Sequence, residues 1–133
     1  MSEFRRLFVV AAAIVAPALC AAGSKPDIEN GKTTFDTMCG VCHSVQKTGG
    51  PTLGPNLLGV VGRKAGSEAE FTMYSPALKD SKITWSKKTL DKFLLNPEVL
   101  PMAQVPGTLM PMLIPDDKTR ADMVAYLATL KKK

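Results

Sequence analysis

Cys39-Gly40-Val41-Cys42-His43 is the stretch whose reading decides the fold. Two thiols three positions apart, with an imidazole next in line, form the attachment spacing of c-type haem. The two sulfurs can make thioethers with the haem vinyl groups, and His43 then falls beneath the iron as an axial ligand. Other uses of a C-x-x-C pair fit poorly. A tetrahedral zinc site needs four ligands, and here the candidates are two neighbouring cysteines and the single histidine of the chain. A thioredoxin-like redox pair needs a strand-helix-strand setting, which the flanking pattern lacks.

Upstream of that motif the N-terminus reads as a targeting segment. Arg5 and Arg6 make a positive start, Leu7 to Leu19 carries no charge, and Cys20-Ala21-Ala22-Gly23-Ser24 is small. An apolar run of about thirteen residues suits a secretory leader and is short of the ~20 that cross a bilayer. Pro17 breaks the run before the expected cleavage near Ala22 or Gly23. An uncleaved anchor and a lipoprotein at Cys20 are the rival readings. Length argues against the first, and the bulky Leu19 before Cys20 against the second. The chain therefore divides into a leader over 1–22 and one domain over 23–133. Cleavage removes Cys20, and the two remaining cysteines cannot form a disulfide framework. An exported protein is also where c-type haem is attached.

Downstream, the chain reads as helices joined by long loops. The domain has one modest core, mostly aliphatic because aromatics are only 6% of residues. Ten glycines and ten prolines mark many turns. Asp27-Ile28-Glu29, followed by Gly31, Phe35 and Met38, predicts a helix over about 28–38. Glycines from 49 to 66 predict a loop, and Ser75-Pro76 a short helix to about Lys79. Thr84 or Ser86 can cap a segment with Leu90, Phe93 and Leu94 on one face, stopped by Asn96-Pro97. Prolines 101, 106, 111 and 115 forbid a continuous helix over 98–115. Asp116-Asp117 starts a last helix with Met123, Tyr126, Leu127 and Leu130 on one face, and Lys131 to Lys133 suit its negative end. No strand-like alternation or internal repeat appears, so the fold class is all-α.

An electron carrier needs its sixth iron position filled, and methionine fills it while raising the potential. Met73, Met102, Met110, Met112 and Met123 are the candidates. Most helical methionines are core fillers, and Met123 fits that description. Met110 lies in Pro106-Gly107-Thr108-Leu109-Met110, a stiff non-helical loop able to hold a side chain in place.

Taken in order, further motifs carry a resemblance. They are Gly31 with Phe35, Cys39 to His43, Gly54-Pro55-Asn56-Leu57, Gly62-Arg63-Lys64-Ala65-Gly66 and Tyr74-Ser75-Pro76-Ala77. Ile83-Thr84-Trp85, Asn96-Pro97, Pro106-Gly107-Thr108-x-Met110 and Ala125-Tyr126-Leu127 follow. Over Asp27 to Lys133 the chain resembles the class I cytochrome c family, in its mitochondrial-like, alphaproteobacterial branch. The resemblance implies a small fold of helices and long loops around one covalently bound haem. It implies His43 as proximal ligand, oriented by the Pro55 carbonyl, and Met110 as distal ligand, with Met112 the lesser choice. It further implies that Tyr74 and Trp85 bond a haem propionate, with Arg63 nearby to offset its charge. Ordinary packing of Tyr74 and Trp85 is compatible with that role. Gly31, Phe35 and Tyr126 match the family's helix crossing.

Two features depart from the family pattern. Pro101-Met102-Ala103-Gln104 lengthens the loop before Pro106, within Glu98 to Val105, which makes Met102 a remote alternative ligand. Family members ring the exposed haem edge with lysines, whereas the matching positions here are Met38, Gly50, Leu109, Asp116 and Asp117. The docking face predicted from this is apolar, made of Met38, Leu109, Met112 and Leu113, with weak dependence on salt.

Net charge is +5, and without the leader it falls to about +4. Much of the positive charge lies from Lys79 to Lys92 and in the tail. No aromatic interleaving or nucleic-acid motif accompanies it. The expected function is a monomeric periplasmic electron shuttle. Its donor would be a quinol-oxidising complex, and its acceptor a terminal oxidase or reaction centre. A dedicated acceptor for a periplasmic dehydrogenase is the alternative. A haem peroxidase or sensor fits worse, since His43 is the only histidine and no distal acid-base partner remains.

Overall fold

The computed structural model describes residues 24–96, 110 and 112–132. The expected leader, Pro97, the long loop with Met102, the Pro106 to Leu109 segment, Pro111 and Lys133 lie outside these residues.

Among the described residues there are four α-helices, each started by a side chain acting on the following turn. Helix α1 spans Ile28–Thr34, and Asp27 caps it by accepting from the Glu29 and Asn30 amides at 3.0 and 3.1 Å. Helix α2, Pro76–Asp80, has Ser75 as cap and proline in its first turn. Helix α3, Lys87–Leu95, opens with a reciprocal Ser86–Thr89 capping box. Helix α4, Asp117–Thr129, is capped by Asp116, whose carboxylate accepts from the Thr119 amide at 2.7 Å. Among the described residues there is no strand; one antiparallel bridge joins Lys64 to Thr84. No described helix is long and apolar enough to cross a membrane.

Two details differ from the expected elements. The first helix does not stay regular to Met38: it widens into a π-helical turn, Phe35–Cys39, closed by a 2.8 Å bond from the Gly40 amide to the Phe35 carbonyl. That turn holds Phe35 in the core while Met38 and Cys39 also pack against it. Nor do Lys131 and Lys132 lie in the last turn of α4, which ends at Thr129. Lys132 reaches back to Glu68 at 3.1 Å, because a largely buried carboxylate attracts it more than a screened helix end.

The helices meet at two levels. Helices α1 and α4 cross in close contact, and an added Cβ on Gly31 would stand 2.1 Å from the Asp122 carbonyl oxygen. Only glycine permits that approach. Phe35 and Tyr126 pack beside it in a tilted pair at 5.7 Å. Helix α3 packs on α4 through Leu90 and Leu94, within a core that includes Val60, Trp85, Ile114, Met123, Val124 and Leu127. Asp122, fully buried at the crossing, accepts from the Asp27 amide and the Asn30 side chain, each at 2.7 Å, and pairs with Lys118 at 2.6 Å.

Candidate functional site

Helix α1 delivers Cys39, and a tight turn follows: the Cys42 and His43 amides donate to the Cys39 carbonyl at 3.0 and 2.9 Å. The next loop is tied to this turn. Thr52 Oγ1 and the Gly54 amide donate to the Cys42 carbonyl at 2.5 and 2.7 Å. Gly54 lies against the imidazole, where a Cβ would be 2.4 Å from Cε1. Pro55 follows, and its carbonyl takes a 2.8 Å bond from His43 Nδ1. A carbonyl only accepts, so Nδ1 carries the proton and Nε2 presents its lone pair. Burial, aided by the Arg63 charge, lowers the His43 pKa against the pull of the Pro55 carbonyl. The ring is therefore neutral at neutral pH.

Sequence reasoning missed the clamp on this loop. Asn56 is buried, donates through Nδ2 to the Gln46 and Gly49 carbonyls at 2.8 and 2.7 Å, and accepts from the Leu58 amide at 2.8 Å. Three side-chain bonds hold the segment that carries Pro55. Asn56 stands in the motif Gly54-Pro55-Asn56-Leu57, which marks the segment but not this role.

These pieces form one wall of a cavity of about 500 Å³. Every residue expected at the site lines it: Cys39, Cys42, His43, Pro55, Arg63, Tyr74, Trp85 and Met110. The lining is otherwise mainly apolar, with Leu57, Val60, Phe71, Leu78, Leu90, Phe93 and Leu94. Phe71, which no motif marked, is buried and packs edge-on against Tyr74 at 4.8 Å. Met112 lines the cavity too, so the structure brings both methionine candidates to it. Of the expected apolar ring, Met112 and Leu113 are exposed, Met38 is half-buried, and Leu109 lies outside the described residues.

Arg63 lines the cavity and is also tied to protein groups. Its guanidinium pairs with the Glu68 carboxylate and donates to the Asn56 carbonyl at 2.7 Å. Glu68 has lost most of its water and needs this countercharge. Tyr74 keeps its capacity: its hydroxyl oxygen accepts from the Glu68 amide at 3.3 Å, which leaves the O–H to donate. Burial raises its pKa, so the phenol stays protonated. Trp85 packs on Phe93 at 5.2 Å, and among the described residues its indole N–H has no protein acceptor. Burial, with Cys42 adding to it, pushes the Cys39 thiol up to about 11.

The donor set tests the fit of a haem. Two thiols at the cavity wall could take thioethers, and a neutral imidazole offers Nε2. A thioether sulfur shares the cavity with it, and two unspent donors, Tyr74 O–H and Trp85 N–H, could meet propionates. A largely apolar chamber with few polar groups is what a macrocycle with two acidic tails requires.

Residues 28–131 match the cytochrome c family. The chain belongs to the cytochrome c family. It is 42% identical to cytochrome c2 of Rhodomicrobium vannielii over 93% of this chain and 94% of that one. It is 45% identical to cytochrome c of Tetrahymena pyriformis over 78% and 89% respectively. Among solved structures, cytochrome c2 of Rhodospirillum centenum superposes with a TM-score of 0.71 at 27% identity, over 80% of this chain and 99% of that one. Ferricytochrome c2 of Rhodopseudomonas palustris gives 0.69 at 35% identity, over 79% and 99%. The fold is that of class I cytochromes c of alphaproteobacterial type. Like its family, the chain is an electron carrier with one covalently bound haem c.

Proposed function

We propose that the protein shuttles single electrons between membrane redox complexes in the periplasm, with Cys39 and Cys42 joined to the haem and His43 and Met110 on the iron. The donor would be a quinol-oxidising complex and the acceptor a terminal oxidase or reaction centre. The haem, when bound, supplies the one-electron Fe(III)/Fe(II) couple. The observation that carries the reading is the His43–Pro55 bond, which fixes the tautomer and leaves Nε2 free in a cavity that Met110 also lines.

The chain's own residues account for what a carrier needs. Asn56 and Thr52 stiffen the segment behind His43, so the imidazole keeps its orientation in both redox states. Met110 would fill the iron position where a small ligand could otherwise bind. Tyr74 and Trp85 would donate to the propionates, while Phe71, Leu90 and Leu94 would exclude water. Leu53, Met73 and Met112 are the exposed members of the wall, and electrons would cross there during brief contacts with a small interface. Residues 1–22 would direct export.

The test is ligand access combined with turnover. The reduced protein should bind no carbon monoxide and should be reduced and reoxidised by purified membrane complexes. Ready carbon monoxide binding, with no exchange with those complexes, would favour an enzyme or sensor instead.

A further inference from the structure

Glu68 belongs to none of the motifs read from the sequence, and it does not line the chamber. It stands directly behind the chamber wall, where two of its partners do. Its side chain is only 9% exposed and pairs with Arg63. Its amide donates to the Tyr74 hydroxyl at 3.3 Å, and its carbonyl accepts from the Phe71 amide at 3.2 Å. Arg63 in turn donates to the Asn56 carbonyl at 2.7 Å, and its own carbonyl accepts from the Trp85 amide at 2.9 Å. Tyr74, Trp85 and the Pro55–Asn56 segment behind His43 thus meet at one largely buried ion pair.

The far side of that pair is the C-terminal tail. Beyond α4, the Leu130 carbonyl accepts from the Gly59 amide at 3.0 Å, and Lys132 packs against Gly59. This seat brings the Lys132 ammonium to 3.1 and 3.4 Å from the two carboxylate oxygens of Glu68. The Lys132 side chain is more than half exposed, so its charge is screened, whereas Glu68 and Arg63 are shielded from water.

A purely structural tie needs no charge here. Taking a carboxylate out of water is costly, and an apolar or amide contact could hold the same segments. A buried charge behind the wall has a consequence that those contacts lack. Oxidation adds one positive charge at the iron, and a fixed negative charge in a site of low dielectric favours the oxidised form. We propose that Glu68 is a positioning residue that ties Arg63 and Tyr74 to the chamber wall and lowers the reduction potential of the bound haem, with Lys132 of the tail opposing it. The inference rests on a haem seated in this chamber and assigns charges that set its potential. It does not depend on which complexes exchange electrons with it.

The test is potentiometric titration of the holoprotein, read from the haem spectrum at one pH and one salt concentration. At the wild-type midpoint, E68Q should be about fivefold more reduced than oxidised, because a buried negative charge is gone. E68D keeps that charge and should stay near wild type. K132Q should move the other way, to about twofold more oxidised, since the lysine is exposed and screened. In E68Q the lysine has lost its partner, so adding K132Q to that variant should move the potential much less. An E68Q midpoint at or below that of wild type would overturn the proposal. So would an E68D shift as large as that of E68Q, which would make Glu68 a packing residue only. A K132Q shift of the same size with and without Glu68 would do so too, by making Lys132 an independent surface charge. Should E68Q not fold, K132Q decides alone: a midpoint that stays or rises contradicts the proposal. Carbon monoxide binding and exchange with membrane complexes test the shuttle separately, and neither reads these shifts.

Discussion

The α1–α4 crossing and the cavity between α2, α3 and the loops are built on opposite principles. At the crossing, protein meets protein: Gly31 admits the α4 backbone, Phe35 covers Tyr126, and Asp122 satisfies the start of α1. In the cavity, side chains face a chamber of about 500 Å³ and a molecule the chain does not encode. The crossing can be understood from polypeptide alone. The cavity wall makes sense only as the surface of a haem.

That difference predicts a hierarchy of damage. Removing haem attachment should do most harm. Without the haem, the apolar residues that line this chamber would face water, and their lost burial, at about 1.5–3 kcal/mol for each large side chain, is comparable to the whole stability of a small domain. Cys39→Ala with Cys42→Ala should therefore give a chain that lacks covalent haem after denaturation and shows little cooperative melting by circular dichroism. A haem-free chain with a sharp, native-like transition would break the comparison.

Gly31→Ala comes next. Its Cβ meets backbone rather than a yielding side chain, so α1 must move off α4, at about 3 kcal/mol or more. Denaturant unfolding of the holoprotein measures this. The haem spectrum of the surviving folded fraction should change little, because the lesion is in the crossing.

Asp122→Asn is expected to cost about 2 kcal/mol, through weaker bonds to Asp27, Asn30 and Lys118. Its pH signature is more specific than its size. Burial opposes ionisation of Asp122, but the Lys118 ammonium, the Asn30 amide and the Asp27 N–H outweigh it and hold the carboxyl below its usual range. A group depressed in the folded state adds stability above its unfolded pKa and loses it as pH falls through the folded value. The wild type should thus lose stability on acidification more steeply than Asp122→Asn. Parallel acid limbs in chemical denaturation would contradict the assignment.

How far the sequence revealed these two regions follows from the range of the interactions. Caps at Asp27, Ser75, Ser86 and Asp116 were legible because a side chain there acts on the next turn. The Cys39 to His43 motif was legible because its chemistry is set by spacing. Asp122 was not, since its partners on α1 lie more than ninety positions away and nothing local distinguishes it from a solvated helix carboxylate. The Arg63–Glu68–Lys132 cluster was hidden for the same reason: Lys132 reaches Glu68 only once α4 has docked. Phe71, among polar neighbours, gave no period to read. The π-helical turn before Cys39 depends on Phe35, Met38 and Cys39 packing together, which propensity does not describe.

The central claim is that His43 and Met110, which line one chamber, would be the two protein ligands of the iron. The most direct measurement is the methionine-to-iron charge-transfer band of the oxidised protein, recorded for wild type, Met110→Ala and Met112→Ala. The account predicts a band in the wild type, its loss with Met110→Ala, and its retention with Met112→Ala. A band that survives Met110→Ala and disappears with Met112→Ala would contradict it.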